Sequence, residues 1–251
     1  MKEITVNRKD VYCGYLLLVN KDYPLKLFDI KEENLSRIQS DVYLENRAAS
    51  MLRQLLNELK AEKKITAVSG YRSIKEQEEI YRDSLKENGQ EFTEKYVALP
   101  GASEHQTGLA IDLGKKQENI DFICPEFPEE GICQEFRQRA ADFGFIQRYE
   151  KQKENITGIG HEPWHFRYVG YPHSMIIRES SLSLEEYEEK LESHGYEENP
   201  LIYQKNGQRV EISYLKVTDG DIQKIKLEED TICQISGNNK EGIIITKWQG
   251  R

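Results

Sequence analysis

The sequence predicts an α+β fold, with helices against one side of a small, mainly antiparallel sheet and a β-rich unit after it. Three observations carry this. Between residues 45 and 60, Ala48, Met51, Leu52, Leu55, Leu56 and Leu59 return every three or four positions and make one apolar helix face. Short apolar runs such as 65–68 and 108–113, bounded by turn residues, have the form of buried strands. No GxGxxG follows a first strand, which disfavours a doubly wound parallel sheet.

The elements follow in order. Residues 11–19 read as an opening strand that leads to the turn Asn20-Lys21-Asp22-Tyr23-Pro24. After the 45–60 helix and the 65–68 strand, Ser69-Gly70-Tyr71-Arg72-Ser73 closes the strand, and Ser73 caps a helix that stops before Gly89. Residues 89–101 read as a polar connection, with Pro100-Gly101 as its turn. A proline-containing loop at 121–130 precedes a helix over 131–143, for which Gly144 is the stop. Pro163 makes 161–169 a poor helix interior, and its aromatic residues favour a strand.

Composition shifts after residue 179. An acidic helix at 182–194 precedes strands at 201–203, 210–217, 222–227, 232–235 and 243–247, separated by Asn-Gly, Asp-Gly and Gly-Asn-Asn turns. The expected division is therefore 1–180 for a first domain and 181–251 for a small helix-plus-hairpin domain.

Composition narrows the function classes. The chain has 251 residues, with 35 Lys and Arg against 44 Asp and Glu, a formal charge of −9. Mean hydropathy is −0.73, and no run approaches the roughly 18 apolar residues of a membrane span. This excludes an integral helical membrane protein and disfavours a strongly basic nucleic-acid binder. The apolar stretch at 15–19 is too short for a signal-peptide core, so the expected location is cytoplasmic. Four scattered cysteines (Cys13, Cys124, Cys133, Cys233) without a CxxC read as reduced, mostly packed thiols.

Two separated clusters carry the chemistry. The first is Ser103-Glu104-His105-Gln106-Thr107-Gly108-Leu109-Ala110-Ile111-Asp112. Positions 110 and 112 share one face of a strand, and Gly108 lets the chain bend so that His105 and Asp112 reach one metal. The second, Glu162-Pro163-Trp164-His165, adds an imidazole and a carboxylate. Two His and one Asp leave a fourth position open, the usual form of a catalytic zinc site. Glu162 is then free to take a proton from water. Mn, Co or Fe suit the same ligands, and spacing does not separate them. Neither HExxH nor HxxEH occurs.

The set SxHxxGxAxD over 103–112, ExxH over 162–165 and SGYRS over 69–73 resembles the D-alanyl-D-alanine peptidase family of zinc enzymes. That family includes the VanX dipeptidases, the VanY carboxypeptidases and the bifunctional VanXY enzymes of vancomycin resistance, and the resemblance spans roughly residues 11–180. It implies the Hedgehog/D,D-peptidase-like zinc fold, one Zn2+ per chain on His105, Asp112 and His165, Glu162 as general base and later proton donor, and Arg72 at the scissile carbonyl or its oxyanion. The bifunctional VanXY type is the nearest likeness, which implies cytoplasmic D-Ala-D-Ala and UDP-muramyl pentapeptide as substrates.

Other residues carry weaker expectations. Ser103 suits the substrate's terminal carboxylate or an ordinary turn. Gln77, within SGYRSxxxQ, orients substrate or caps a strand. Tyr71 and Trp164 are expected as pocket walls, and Ser69 as a brace for Arg72. His161, His173 and His194 read as packing or capping residues. For the β-rich tail, domain packing, homodimer formation or a substrate-side wall all stay open. Two other functions compete: a muropeptidase for L-Ala-D-Glu links, and a catalytically silent zinc module as in the Hedgehog domain. Glu162 and Arg72 speak against the silent module, because a structural metal needs neither.

Overall fold

The computed structural model describes residues 1–26, 30–218, 220 and 222–249, and its architecture is α+β. Two compact units emerge. One takes residues 1–18, Leu25, Lys26 and the chain from Leu184 onward; the other takes Val19–Pro24 and the chain from residue 30 to Ser183.

Strand β1 (Lys2–Asn7) opens the chain and a 3-10 turn, Arg8–Tyr12, follows it behind an Asn7/Asp10 capping box. The strand expected over 11–19 is absent. Leu16, Leu17 and Leu18 are buried, as their hydrophobicity demands, but outside any ladder. Their backbone is satisfied singly instead, Leu16 N–H donating to Ser236 Oγ (2.9 Å) and Leu18 N–H to the Asn238 carbonyl (3.1 Å).

In the larger unit, β2 (Leu35–Gln39) and β3 (Val42–Glu45) pair antiparallel. Helix α1 (Asn46–Glu58) starts where the Glu45 carboxylate accepts from the Arg47 and Ala48 N–H groups, and it buries Ala48, Leu52 and Leu55. β4 (Ile65–Ser69) leads to α2 (Ile74–Tyr96), where Ser73 and Glu76 form the capping box. The helix breaks at Gly89 (φ +80°), as the sequence suggests, but resumes to Tyr96. The reason is Thr93, which is buried and bonds through its hydroxyl to the Gly89 carbonyl and Ser84 Oγ, each at 2.8 Å.

β5 (Ala110–Lys115) precedes α3 (Gly131–Arg139), which tightens to a 3-10 turn and stops at Gly144. That glycine has φ +87°, and a Cβ there would lie 2.5 Å from the Tyr168 ring. β6 (Phe145–Tyr149), the single turn α4 (Glu154–Thr157), β7 (Glu162–Tyr168) and α5 (His173–Ser180) complete the unit. The central sheet has the order β4-β5-β7-β6 and is antiparallel throughout. Phe127, Phe136 and Phe166 pack edge-to-face in its core, with ring centroids 4.9 to 5.8 Å apart.

The smaller unit holds α6 (Leu184–Glu192), β8 (Leu201–Lys205), β9 (Gln208–Lys216), β10 (Ile222–Leu227), β11 (Ile232–Gly237) and β12 (Gly242–Trp248). Four of its strands form a sheet of order β11-β12-β9-β8, while β10 pairs antiparallel with β1. The sequence reading groups residues 1–18 with the first domain. They cluster with the second because β1 supplies the partner of β10, and Val6 and Val11 enter one core with Ile225, Leu227 and Ile243. In the expected Asp219-Gly220 turn, Asp219 lies outside the described residues. All four cysteines are free thiols, and Cys13 is exposed rather than packed.

His173, at the start of α5, is fully buried, and burial pushes its imidazole down to about 3 from an ordinary value near 6.5. The folded chain thus holds it neutral while the unfolded chain protonates it. Its contribution to stability is whole above pH 6.5 and is lost as pH falls from there toward 3. The melting temperature of His173→Gln is expected to fall less between pH 7 and 4 than that of the wild type; equal slopes would refute this origin of acid sensitivity.

Candidate metal centre

Register brings the site together. Asp112 on β5 sits between two partners, Ser69 of β4 on one side and His165 of β7 on the other. On the β4 side the pairing steps from Ala67↔Leu113 to Ser69↔Asp112, so Val68 is an extra residue, and the bulge sets Ser69 opposite Asp112. On the far side the pairing steps from Gln147↔Phe166 to Tyr149↔Glu162. One residue of β6, Arg148, therefore spans three of β7, and the bulge falls at Pro163, which has no N–H to give a ladder. Residues three apart on a regular strand face opposite ways. The bulge brings Glu162 and His165 to one side, with Glu162 Oε2 3.5 Å from His165 Nδ1.

His105 arrives from the 3-10 turn Glu104–Thr107, which ends at left-handed Gly108 (φ +67°). Its Nδ1 is held by the Gly70 carbonyl at 2.7 Å, which leaves Nε2 facing Asp112 Oδ2 at 3.1 Å. His165 is turned the other way: Nδ1 faces Asp112 Oδ1 at 3.0 Å and Nε2 faces Glu104 Oε2 at 3.4 Å. All three side chains are buried, and one ligand atom from each lies within 4.8 Å of the others. Asp112 Oδ1 is buried and, among the described residues, has the His165 ring as its polar neighbour. Two imidazole nitrogens and a carboxylate, their outer atoms already engaged, form a group able to hold one Zn2+.

Electrostatics set these groups apart. Burial opposes charge on Asp112, but the His105 and His165 imidazoles hold its carboxyl well below the usual range. Burial and the Arg72 cation push His105 down to about 4, although Asp112 opposes the shift. His165 is desolvated too, yet its bonds to Asp112 and Glu104 prevail and raise it to about 9. Burial pushes Glu162 up to about 8, with the carboxylates of Asp112 and Glu104 adding to the effect and His165 and Arg72 opposing it.

The cavity at this cluster is lined by Arg72, Gln77, Ser103 and Trp164 as well as by Glu162 and the three ligand candidates. Arg72 donates through Nε to Ser69 Oγ (2.9 Å), through Nη1 to Gln77 Oε1 (3.0 Å) and through Nη2 to Asp112 Oδ2 (3.1 Å). Ser69 thus braces Arg72. Gln77, fully buried, does the same and ties the guanidinium to the Ala98 carbonyl (2.8 Å). Ser103 and Trp164 are both buried. Tyr71 is not on this cavity's wall. It lines the neighbouring groove that shares Arg72, and its N–H is bound to the Tyr43 carbonyl. His161 lines a separate hollow beside Gln147, and His194 bonds through Nδ1 to the Asn199 carbonyl just beyond α6.

Sequence reasoning missed Glu104, Arg148 and Arg167, all buried charges. Glu104 Oε1 receives Arg148 Nε at 2.8 Å and Arg167 Nη1 at 2.7 Å. Burial alone would raise the carboxyl, but the two guanidiniums hold it far below the usual range. Glu104 was within the first motif, adjacent to a ligand; nothing local marks the two arginines as its partners.

Residues 41–171 match the family model for VanY, D-alanyl-D-alanine carboxypeptidase. The chain is 46% identical over 183 residues to the bifunctional D-Ala-D-Ala dipeptidase and carboxypeptidase VanXYC of Enterococcus gallinarum, covering 70% of this chain and 94% of that one. Among solved structures, the vancomycin-resistance D,D-dipeptidase VanXYg in complex with a D-Ala-D-Ala phosphinate analogue superposes with a TM-score of 0.95 at 48% identity, covering 99% of each chain. A mutant of the D,D-pentapeptidase VanY from a VanB-type cassette, in complex with Zn(II), matches at TM-score 0.57 and 30% identity over 69% of this chain and 98% of that one.

Proposed function

This chain belongs to the VanY family of D-alanyl-D-alanine carboxypeptidases, and from that premise we propose that it cuts the D-Ala-D-Ala bond both in the free dipeptide and at the end of cytoplasmic UDP-muramyl pentapeptide. It is a zinc metallopeptidase of the VanX/VanY type, with the matching α+β zinc fold, and it hydrolyses D-Ala-D-Ala-type bonds. Double specificity is the further step. The likeness to a bifunctional VanXY enzyme over 94% of that enzyme's length supports it. Removal of D-Ala-ending precursors would be its contribution to vancomycin resistance.

The observation that carries the mechanism is the convergence of Glu162, Arg72 and the His105/Asp112/His165 group on one cavity. Zinc held by those three side chains supplies Lewis acidity, polarising the scissile carbonyl and lowering the pKa of water. Glu162 accepts the proton of the attacking water. Its carboxylate, buried at the cavity beside the ligand group, is then placed to give that proton back to the departing D-Ala amine. Arg72 donates to the carbonyl oxygen as negative charge grows on it. Ser103, Gln77 and Trp164 bound the space left for the terminal D-Ala. Tyr71, off this wall, has no part in that reading.

The test follows D-Ala released from D-Ala-D-Ala and from UDP-muramyl pentapeptide by the zinc-loaded protein. Both are expected to be cut, both activities to vanish on chelation, and both to return with zinc. Release from the dipeptide alone would refute the carboxypeptidase half of the proposal, and activity surviving chelation would refute the zinc reading.

A further inference from the structure

The charged cluster behind the metal group has a geometry that a purely structural ion pair would not need. Glu104, Arg148 and Arg167 are buried together, with the arginine side chains fully inaccessible. Taking three charges out of water is costly, and packed apolar side chains would fill the same volume at no greater cost. The division of labour on Glu104 is specific. One oxygen, Oε1, takes both guanidiniums, while the other, Oε2, is left for His165 Nε2.

We propose that Glu104 is a positioning residue for the metal centre: its Oε2 holds the proton of His165 on Nε2 and so presents the Nδ1 lone pair to zinc, while Arg148 and Arg167 fix the carboxylate that does so. This rests on the zinc reading above. A histidine ligand can offer only the nitrogen that carries no proton, and the partner of its other nitrogen decides which one that is. At His105 the Gly70 carbonyl makes the choice through Nδ1; at His165 the choice is opposite and falls to Glu104. The two ligands therefore use different nitrogens, and only His165 depends on a side chain for its tautomer.

Two substitutions test this. In Glu104→Gln the amide offers its oxygen to the guanidiniums and turns its NH2 toward Nε2, which favours the Nδ1–H tautomer with no lone pair for the metal. Glu104→Asp keeps the charge beside the arginines but draws the carboxylate back from His165, and it guards against a Gln variant that does not fold. Zinc affinity, measured by competition with a chelator, is expected to fall about 10–100-fold in each folded variant. Thermal melts of the metal-free proteins report the fold separately. Imidazole nitrogen shifts of the zinc-loaded wild type, which need no variant, are expected to show His165 protonated at Nε2. A folded variant with wild-type zinc affinity, or a proton on His165 Nδ1 in the loaded wild type, overturns the proposal. If the wild type itself takes up no zinc, the zinc reading fails first.

Discussion

Glu162→Ala is expected to lose turnover on D-Ala-D-Ala by about 10²–10⁴-fold, the worth of a positioned general acid–base group, while one zinc per chain is retained. Glu162 Oε2 stands 3.5 Å from His165 Nδ1, beside the ligand group and outside it. On the proposed mechanism its removal takes away the proton acceptor and leaves the three ligand side chains in place. Glu162→Gln should behave alike, since an amide of the same shape accepts no proton. The measurement is kcat for D-Ala release together with zinc content of the same sample. Undiminished turnover would remove Glu162 from the proton transfer. Loss of zinc along with activity would instead make it a ligand. His165→Ala provides the contrast, because it should lose metal and activity together.

The site was legible because its residues fall in two short motifs whose residue types match zinc chemistry, His105 with Asp112 and Glu162 with His165. What brings them together was not. ExxH on a regular strand would send Glu162 and His165 to opposite faces, and the bulge at Pro163 that corrects this shows only in the pairing of β7 with β6. Nothing in the local sequence marks Arg148 and Arg167, because their partner Glu104 lies 44 and 63 positions away. The fold shows the same division. Amphipathic α1 and the capped start of α2 were fixed by nearby residues and agree within a few positions. By contrast, the opening apolar run and the pairing of β1 with β10 depend on residues more than 200 positions away. Hydrophobicity signals that Leu16 to Leu18 are buried; it does not signal whether a ladder or isolated hydrogen bonds will satisfy their backbone.

Arg72→Ala is expected to lower kcat by about 10²–10³-fold, the usual loss when one preorganised donor to an oxyanion is removed, with much less change in KM. The reason is the way the guanidinium is held. Ser69, Gln77 and Asp112 anchor its three nitrogens, and Gln77 is itself pinned to the Ala98 carbonyl. A donor fixed at the cavity wall before substrate arrives pays no reorganisation when charge develops. Arg72→Lys should not restore activity, because one ammonium cannot keep the contacts to Ser69, Gln77 and Asp112 and also reach the carbonyl oxygen. Gln77→Ala separates position from charge: the cation remains but loses an anchor, so kcat should fall in the same direction and by less. A rise in KM at unchanged kcat for Arg72→Ala would place its interaction in the ground state and remove it from the transition state. Zinc content is the necessary companion measurement, since Arg72 also touches Asp112. With zinc retained, a fall in kcat across the whole pH profile points to the reacting carbonyl, whereas a fall that follows a displaced pH profile would come through Glu162, whose charged form Arg72 also favours.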